Sequence, residues 1–270
     1  MAAIPVRRLK LPRIIGHRGA AKHAPENTLA GIRAAAAQGV LWVEVDVKLT
    51  KDGVPILMHD ETLDRTTSGK GRVEDFTYDQ ILRLDAGRWF GPAFLGERVP
   101  TLVDALDLVA GLDMGINLEI KPCPGRGEET AGIALTTAIS AWPEGRQPPL
   151  VSSFDEAALE TAMRIVPDWP RGVLIDQPRA DWRDLVERLD ASTINVNARR
   201  EDAERVAAYR ASGRPVLAYT VNTAAAATEV FGWGVRSIFT DSPPAVGPAL
   251  KALARPGTAG PAADGPGAPE

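Results

Sequence analysis

Carboxylate, histidine and cationic side chains are concentrated at a few points where apolar runs of the sequence end. Glu44 and Asp46 are two residues apart, as are Glu119 and Lys121, so the members of each pair lie on the same side of a strand. Three carboxylates on one surface repel each other unless a cation neutralises them. Because all of these ligands are oxygens, Glu44, Asp46 and Glu119 predict a site for a hard divalent cation, Mg²⁺ or Ca²⁺, rather than zinc.

Two histidines accompany these carboxylates. His17 follows the first apolar run and His59 ends the third. Because an imidazole titrates near neutral pH, the two can share general acid and general base catalysis. Arg18 and Lys121 add fixed positive charge that suits phosphate oxygens, so the whole set predicts phosphoryl transfer. His23 has no carboxylate at strand spacing and is predicted to be non-catalytic.

The remaining candidates carry weaker signals. Residues 68–71, Ser-Gly-Lys-Gly, lack the spacing of a phosphate-binding P-loop, and we interpret them as a flexible turn. No G-x-S-x-G motif predicts a serine hydrolase, and no motif supports Cys123 as a nucleophile. Phe154 and Tyr219 end two later strands, where they either line a substrate cleft or belong to the core.

The elements that must position these residues alternate between β-branched runs and longer helical segments, which is typical of parallel βαβ units. A tight turn at residues 50–53 replaces the helix between the second and third strands, so those two strands form a hairpin. The eight other strands predict an α/β fold, a TIM (β/α)₈ barrel with a small insertion after the second strand. A doubly wound open sheet competes, but no G-x-G-x-x-G follows the first strand. The predicted strands are 13–16, 41–49, 54–59, 114–121, 150–154, 171–175, 193–197, 216–221 and 237–240.

The predicted hairpin brings His59 beside the carboxylates. A two-residue loop at 51–52 places Glu44 opposite His59 and Asp46 opposite Leu57. The carboxyl ends of barrel strands form the catalytic face of a TIM barrel, and the candidate residues lie at those ends. We therefore expect them to converge on one site.

Length, charge and composition limit the class of protein. The chain has 270 residues, a net charge of -4 and one cysteine, which favours neither a nucleic-acid partner nor a disulfide framework. The sequence predicts no signal peptide and no membrane span, and together with the single cysteine this favours a cytoplasmic location. We expect a leader at 1–12, one barrel domain at 13–254 with an insertion at about 60–99, and a disordered Pro/Gly/Ala tail at 255–270.

Several motifs together resemble the glycerophosphodiester phosphodiesterase family, in its bacterial cytoplasmic form. The resemblance covers about residues 13 to 250. The motifs that carry it are, in chain order, Ile15-Gly16-His17-Arg18-Gly19, Pro25-Glu26-Asn27-Thr28, Glu44-Val45-Asp46-Val47, Thr50-Lys51-Asp52-Gly53, His59-Asp60, Leu63-Asp64-Arg65-Thr66-Thr67, Val99-Pro100-Thr101-Leu102, Asn117-Leu118-Glu119-Ile120-Lys121, Ser153-Phe154, Thr220-Val221-Asn222 and Phe239-Thr240-Asp241-Ser242-Pro243.

The resemblance implies a TIM barrel and a metal-dependent hydrolysis of glycerophosphodiesters. Substrates such as glycerophosphocholine or glycerophosphoethanolamine would give sn-glycerol 3-phosphate and an alcohol, with either water or the substrate's own glycerol hydroxyl as nucleophile. The residues carried over by motif are His17 and His59 as the acid-base pair, Glu44, Asp46 and Glu119 as ligands of one divalent cation, and Arg18 and Lys121 as phosphate contacts.

The sequence departs from the family pattern at two places. Tyr219 stands where the family commonly has Trp, which bears on the shape of the alcohol pocket. Val103-Asp104 stands where a Glu pair is common, which affects only the start of a helix.

Two other functions are compatible with such a barrel. A lysophospholipase D or sphingomyelinase D-like phosphodiesterase would act on lipid substrates, and aromatic residues of the insertion, such as Trp89 and Phe90, offer apolar surface for an acyl chain. A phosphate-ester binding protein without catalysis would keep the metal site, but the presence of both histidines and all three carboxylates argues against it. In each case the expected partner is a small molecule.

Overall fold

The structure of the protein is a computed structural model that describes residues 9–253. Residues 1–8 of the predicted leader and the whole predicted disordered tail, residues 255–270, lie outside the described residues. Among residues 9–253, no helix is long and apolar enough to cross a membrane.

Eight parallel strands close into a barrel. The strands are β1 (Ile14–Gly16), β2 (Trp42–Leu49), β3 (Pro55–Leu57), β4 (Gly115–Ile120), β5 (Leu150–Ser153), β6 (Arg171–Ile175), β7 (Thr193–Asn197), β8 (Val216–Tyr219) and β9 (Ser237–Thr240). Around the barrel their order is β1, β9, β8, β7, β6, β5, β4 and β2, and pairing of Gly16 with Val43 joins β2 back to β1. The predicted TIM barrel is confirmed.

Helices connect the strands on the outside of the barrel. They are α1 (Leu29–Ala37), α2 (Tyr78–Ile81), α3 (Leu102–Gly111), α4 (Gly127–Ala141), α5 (Glu156–Ile165), α6 (Trp182–Arg188), α7 (Ala203–Arg210), α8 (Ala224–Gly232) and α9 (Pro243–Leu253). The sequence provides side-chain caps at several of their starts, because Thr28, Thr101 and Asp155 each accept a hydrogen bond from a backbone N–H of the first turn. Two short 3₁₀ helices, Val73–Asp75 and Pro92–Phe94, flank α2.

The hairpin between β2 and β3 is present, but its register differs by one residue from the predicted one. Val47 pairs with Leu57, whereas the sequence predicted Asp46 opposite Leu57 and Glu44 opposite His59. Both predicted pairings are wrong. His59 lies beyond the end of β3 and reaches the barrel mouth from the loop that follows it.

The hairpin loop explains this shift. Its three residues, Lys51, Asp52 and Gly53, replace the predicted two, and Thr50 pairs with Val54 through an N–H···O bond of 3.1 Å. The Val54 N–H donates to Thr50 Oγ1 at 2.9 Å, which fixes the longer loop. Gly53 has a φ of 78°, the left-handed conformation that closes three-residue hairpin loops. The extra residue displaces β3 by one position along β2.

Apolar side chains fill the space between barrel and helices, and also the lower end of the barrel. One buried cluster lies around α1, α3 and α4, and a second lies around α6, α7 and α8. A further cluster occupies the amino-terminal ends of the strands and consists of Leu11, Ile15, Trp42, Leu150, Leu217 and Phe239. The carboxylate and histidine side chains that line the interior lie at the other end, where the strands terminate.

The segment between β3 and α3, which contains the predicted insertion at 60–99, has its own buried apolar cluster around Leu63, Val73 and Ile81. It is attached to the chain that follows β1. Arg65 donates two hydrogen bonds to Glu26, at 2.7 and 2.8 Å, and Glu97 accepts one from the Ala30 N–H at 3.2 Å. These contacts hold the segment beside the mouth of the barrel.

Candidate active site

A pocket of about 130 Å³ lies at the carboxyl ends of the strands. The predicted site residues that line it are His17, Arg18, Glu44, His59, Glu119, Lys121, Phe154 and Tyr219, and Asn117, Leu174, Thr220 and Phe239 complete its wall. Asp46 lies behind this wall, 1% exposed and in contact with Arg18. The structure therefore brings all of the predicted site residues together.

The loop between β1 and α1 positions His17 and Arg18. Gly19 in this loop has a φ of 88°, and a Cβ there would lie 2.5 Å from the carbonyl carbon of Gly31. The Asn27 N–H donates to the Arg18 carbonyl at 3.1 Å. Glycine is thus required where the loop crosses the start of α1, and the crossing fixes the backbone that carries both site residues.

Three buried carboxylates form one cluster. Glu44, Asp46 and Glu119 each offer an oxygen, and these oxygens all lie within 4.8 Å of one another. The register of the barrel explains their meeting, because Asp46 on β2 pairs with Glu119 on β4. Glu44 Oε1 is buried and has no hydrogen-bond partner among residues 9–253. Buried oxygens without partners are costly, and this spacing and donor set suit a hard divalent cation.

Burial and mutual repulsion perturb these carboxylates. Burial raises the pKa of Glu44 well above its usual value, and the charges of Asp46 and Glu119 raise it further. Burial and the charge of Asp46 also raise the pKa of Glu119. Burial opposes ionisation of Asp46 too, but the nearby Arg18 and other cations outweigh it and lower the pKa of that carboxyl. A cation in the cluster would favour the ionised form of all three groups.

Arg18 and Lys121 border the carboxylate cluster. Arg18 Nε lies 3.1 Å from Asp46 Oδ2, and Lys121 Nζ lies 2.9 Å from Glu119 Oε1. The Arg18 backbone N–H also donates to Glu44 Oε2 at 2.9 Å. Burial alone would lower the pKa of both cations, but the surrounding carboxylates outweigh it and raise both pKa values. Both side chains are therefore charged at neutral pH, and both line the pocket.

His17 is held by a carboxylate that the sequence did not single out. Its Nδ1 lies 2.6 Å from Asp241 Oδ1, and its Nε2 lies 3.9 Å from Glu44 Oε2. Asn222 Nδ2 donates to the second oxygen of Asp241 at 2.6 Å. A carboxylate on Nδ1 favours the proton at that nitrogen and leaves Nε2 for chemistry in the pocket.

His59 is held in the same way. Its Nδ1 lies 2.7 Å from Asp60 Oδ1, and Arg65 donates to both oxygens of Asp60, at 2.7 and 2.9 Å. Arg65 continues to Glu26, which accepts a further bond from Arg18 at 2.8 Å. Burial lowers the pKa of His59. Asp60, Arg65, Glu26 and Arg18 thus form a continuous chain of charged groups. It runs from the partner of His59 to the residue that follows His17.

Phe154 and Tyr219 form an aromatic wall of the pocket. Their rings meet edge to face with centroids 5.9 Å apart, and Lys121 Nζ lies 5.2 Å from the centre of the Phe154 ring. Phe154 is 45% exposed and lies at the rim. The Tyr219 hydroxyl and Asn117 Oδ1 are buried, and neither has a hydrogen-bond partner within the part of the chain that the structure describes. Two polar atoms of the wall therefore have unused hydrogen-bonding capacity.

His23 and Cys123 do not line the pocket. His23 Nε2 lies 3.0 Å from Ser242 Oγ. Cys123 is buried, and burial raises the pKa of its thiol. That neither residue is catalytic stays a prediction.

Sequence reasoning missed Asp60, Asn117 and Asp241. Asp241 follows β9 directly, and a carboxylate at the carboxyl end of a barrel strand is the signal that could have identified it. Asn117 stands two residues before Glu119 and so lies on the same side of β4. Asp60 is the chain neighbour of His59 and was not considered as its partner.

Comparison with known proteins places the chain in a family. A family model, the glycerophosphoryl diester phosphodiesterase family, matches residues 17–245. A glycerophosphodiester phosphodiesterase of Caldanaerobacter subterraneus is 34% identical over 234 residues, which are 85% of this chain and 94% of the relative. Another, from Bacillus subtilis, is 32% identical over 85% of this chain and 83% of its own length.

Solved structures agree with the sequence relatives. A phosphodiesterase of Oleispira antarctica, in complex with the product sn-glycerol-3-phosphate, has 36% identity and a TM-score of 0.87 over 89% of this chain and 97% of its own. The barrel and its relatives define a phosphoric diester hydrolase. The chain belongs to the glycerophosphoryl diester phosphodiesterase family. The resemblance inferred from the sequence, and the prediction that the protein is an enzyme, are confirmed.

Proposed function

We propose that the enzyme hydrolyses glycerophosphodiesters such as glycerophosphocholine to sn-glycerol 3-phosphate and an alcohol, with a divalent cation and with His17 and His59 as the acid-base pair. The observation that carries this proposal is the placement of both imidazoles in one pocket with the three carboxylates, each imidazole held through Nδ1 by its own aspartate. The sn-glycerol 3-phosphate in the Oleispira antarctica structure supports the choice of product.

The carboxylate cluster would hold the cation. Glu44, Asp46 and Glu119 supply only oxygens, and the buried Glu44 Oε1 has acceptor capacity that no atom of residues 9–253 uses. This donor set suits Mg²⁺ and Ca²⁺ alike. When bound, such an ion supplies charge stabilisation of the phosphate and lowers the pKa of an attacking hydroxyl.

Arg18 and Lys121 bind and orient the phosphate. The guanidinium of Arg18 is fixed by Glu26 and Asp46, and the ammonium of Lys121 by Glu119, so their remaining N–H groups have defined directions. Fixed donors stabilise charge that develops on the phosphate oxygens without reorganisation during the reaction.

The histidines move the protons. Asp241 and Asp60 hold Nδ1 of His17 and His59 and stabilise each imidazolium when it forms. One Nε2 removes the proton of the attacking oxygen. If that oxygen belongs to water, glycerol 3-phosphate forms directly; if it belongs to the glycerol hydroxyl of the substrate, a cyclic phosphate diester forms, and water then opens it to glycerol 3-phosphate. The Nε2 of the other ring protonates the oxygen of the departing alcohol.

The unpaired wall atoms give the pocket a preference for hydroxyl groups. Tyr219 offers an O–H donor and Asn117 Oδ1 an acceptor, and a hydroxyl of the glycerol unit can satisfy either. Tyr219→Phe removes one partner, and we expect it to raise KM about threefold to tenfold at unchanged fold stability. An unchanged KM would exclude this contact.

Lipid substrates are the second candidate, favoured by the half-exposed ring of Phe154 at the rim. Turnover of a lysophospholipid, compared with turnover of its deacylated diester, separates the two functions. A higher kcat/KM for the deacylated diester supports the leading proposal, and a higher value for the lysophospholipid supports the alternative.

Removal of the metal tests the central requirement. We expect the chelator-treated enzyme to lose hydrolysis of glycerophosphocholine, and added Mg²⁺ or Ca²⁺ to restore it. Glu44→Gln should reduce restored activity by about 100-fold or more and weaken Mg²⁺ binding measured by calorimetry. Asp176→Asn, outside the cluster, is the matched control. Full activity after chelation, with no residual metal by elemental analysis, would contradict the proposal.

A further inference from the structure

A second pocket, of about 580 Å³, lies at the other end of the barrel. It is bounded by the amino-terminal ends of β1, β8 and β9 and by the carboxyl-terminal ends of α7 and α8. Four arginines line it, Arg13, Arg210, Arg214 and Arg236, and we call it the arginine pocket. Leu11, Val216 and Phe231 give part of its wall an apolar surface.

Arg13 and Arg236 are held by backbone carbonyls and an aromatic ring. Arg13 Nη1 donates to the carbonyls of Val235 and Arg236, both at 3.3 Å, and its guanidinium lies 5.2 Å from the centre of the Phe231 ring. Arg236 Nη2 donates to the Leu11 carbonyl at 3.0 Å. These bonds use a minority of the five N–H donors of each guanidinium.

Arg214 is also held by a hydrogen bond, and Arg210 packs against a glycine. Arg214 Nε donates to the Ala191 carbonyl at 2.7 Å. Arg210 lies against Gly234, where a Cβ would be only 2.5 Å from Arg210 Nη1, so the missing side chain makes room for the guanidinium. Hydrogen bonds thus position Arg13, Arg214 and Arg236, while Arg13, Arg210 and Arg236 remain exposed to solvent and so accessible to a ligand.

None of the four arginines forms a salt bridge with a carboxylate of residues 9–253. Burial and, to a lesser degree, the charge of Arg236 lower the pKa of Arg13, as expected for two neighbouring guanidinium groups that both line the pocket. The chain as a whole carries a net charge of -4, so this local excess of positive charge runs against its average. A bound anion would offset the repulsion.

We propose that the arginine pocket binds a phosphate group, carried by inorganic phosphate, by a small phosphate monoester or by the headgroup of an anionic lipid. Guanidinium groups match phosphate oxygens with paired N–H donors, and the apolar part of the wall suits the uncharged part of an ester. The inference is independent of the proposed function, because the pocket lies at the opposite end of the barrel from the histidines.

An NMR titration of the full chain separates the two pockets. Backbone amides of Gly213, Gly234 and Val235 report on the arginine pocket, and those of His17 and Arg18 report on the active site. Added inorganic phosphate or glycerol 3-phosphate should shift the first group saturably, with a midpoint that rises with KCl concentration. Absence of a saturable shift at the arginine pocket with either soluble probe, together with no selective vesicle binding, would overturn the proposal.

Variants identify the groups responsible. Arg13→Gln/Arg236→Gln should raise the midpoint at least about tenfold, because it removes charge-assisted hydrogen bonds. Arg83→Gln, an exposed arginine of the insertion, is the matched control and should leave the midpoint unchanged. Arg210→Gln replaces the double variant if the latter fails to fold. An unchanged midpoint in a folded variant would mean that the arginines bind only backbone carbonyls.

A vesicle arm distinguishes the sources of the phosphate. The full chain is sedimented with phosphatidylcholine vesicles that contain or lack phosphatidic acid. Selective binding to the phosphatidic acid vesicles, lost in the arginine variant, supports a lipid headgroup. Saturable shifts with glycerol 3-phosphate, but no vesicle binding, support a soluble phosphate monoester.

Discussion

His17 Nδ1 lies 2.6 Å from Asp241 Oδ1, and a matching contact of 2.7 Å joins His59 Nδ1 to Asp60. The first pair joins residues 224 positions apart across the closure of the barrel, and the second joins adjacent residues. Both leave Nε2 as the nitrogen available for proton transfer. The two imidazoles are thus oriented by equivalent partners although the sequence positions are unrelated.

Replacement of Asp241 by asparagine should disable His17. An amide N–H directed at Nδ1 favours the tautomer with its proton on Nε2, which is the wrong form for proton removal at that atom. We expect Asp241→Asn to lower kcat by about 10²–10⁴-fold with little change in KM. Asp176→Asn serves as control, because Asp176 bonds Asn197 rather than a histidine. Equal kcat values for the two variants would show that Asp241 does not position His17.

Arg65 should make stability depend on pH. Its hydrogen bonds lower the pKa of Asp60 from the usual 3.8, and with Arg18 they outweigh burial and lower the pKa of Glu26 from 4.5. Groups with lowered pKa values stabilise the fold above their unfolded values, and this contribution is lost as the pH falls through the folded values. Arg65 is 45% exposed, so solvent limits the effect to about 1 kcal/mol.

Urea unfolding at a series of pH values checks this. The difference in unfolding free energy between wild type and Arg65→Gln should be largest at neutral pH and shrink below about pH 4. Arg83→Gln provides the comparison for loss of an exposed arginine elsewhere in the insertion. A difference that is constant from neutral to acid pH would contradict the assignment.

Gly19 should be intolerant of any side chain. Gly19 and Gly213 both have positive φ, 88° and 80°, but only Gly19 has backbone atoms within 3 Å of the position of a Cβ. We expect Gly213→Ala to cost about 1 kcal/mol and Gly19→Ala about 3 kcal/mol or more in unfolding free energy. Gly19→Ala should also lower kcat, because the same loop carries His17. Equal losses of unfolding free energy in the two variants would mean that a side chain at position 19 does not clash with the backbone at the start of α1.

The barrel was predictable from the sequence because alternation of strand and helix is a local pattern, and the residues that could perform chemistry ended its strands. The register of the hairpin between β2 and β3 was not predictable, because the length of its loop depends on a hydrogen bond from the Val54 N–H to Thr50 Oγ1. The pattern of apolar residues along the sequence does not reveal when a threonine hydroxyl accepts a hydrogen bond from a nearby backbone N–H.

The partners of the histidines were predictable only in part. Asp241 lies 224 residues from His17 along the chain, and only closure of the barrel brings them together. The sequence places Arg65 in the insertion. Its bonds to Glu26 and Asp60, however, depend on how the insertion packs beside the mouth of the barrel. Contacts of this kind follow from tertiary arrangement, not from local sequence.

The most direct test of the account is the initial rate of glycerol 3-phosphate release from glycerophosphocholine by His17→Ala, His59→Ala and His23→Ala, each with its fold checked by circular dichroism. The first two should lose activity by about 10²–10⁴-fold, because each removes a general acid or base. His23→Ala, whose imidazole bonds Ser242 outside the pocket, should retain the rate of the wild type. Wild-type activity in either His17→Ala or His59→Ala would contradict the account.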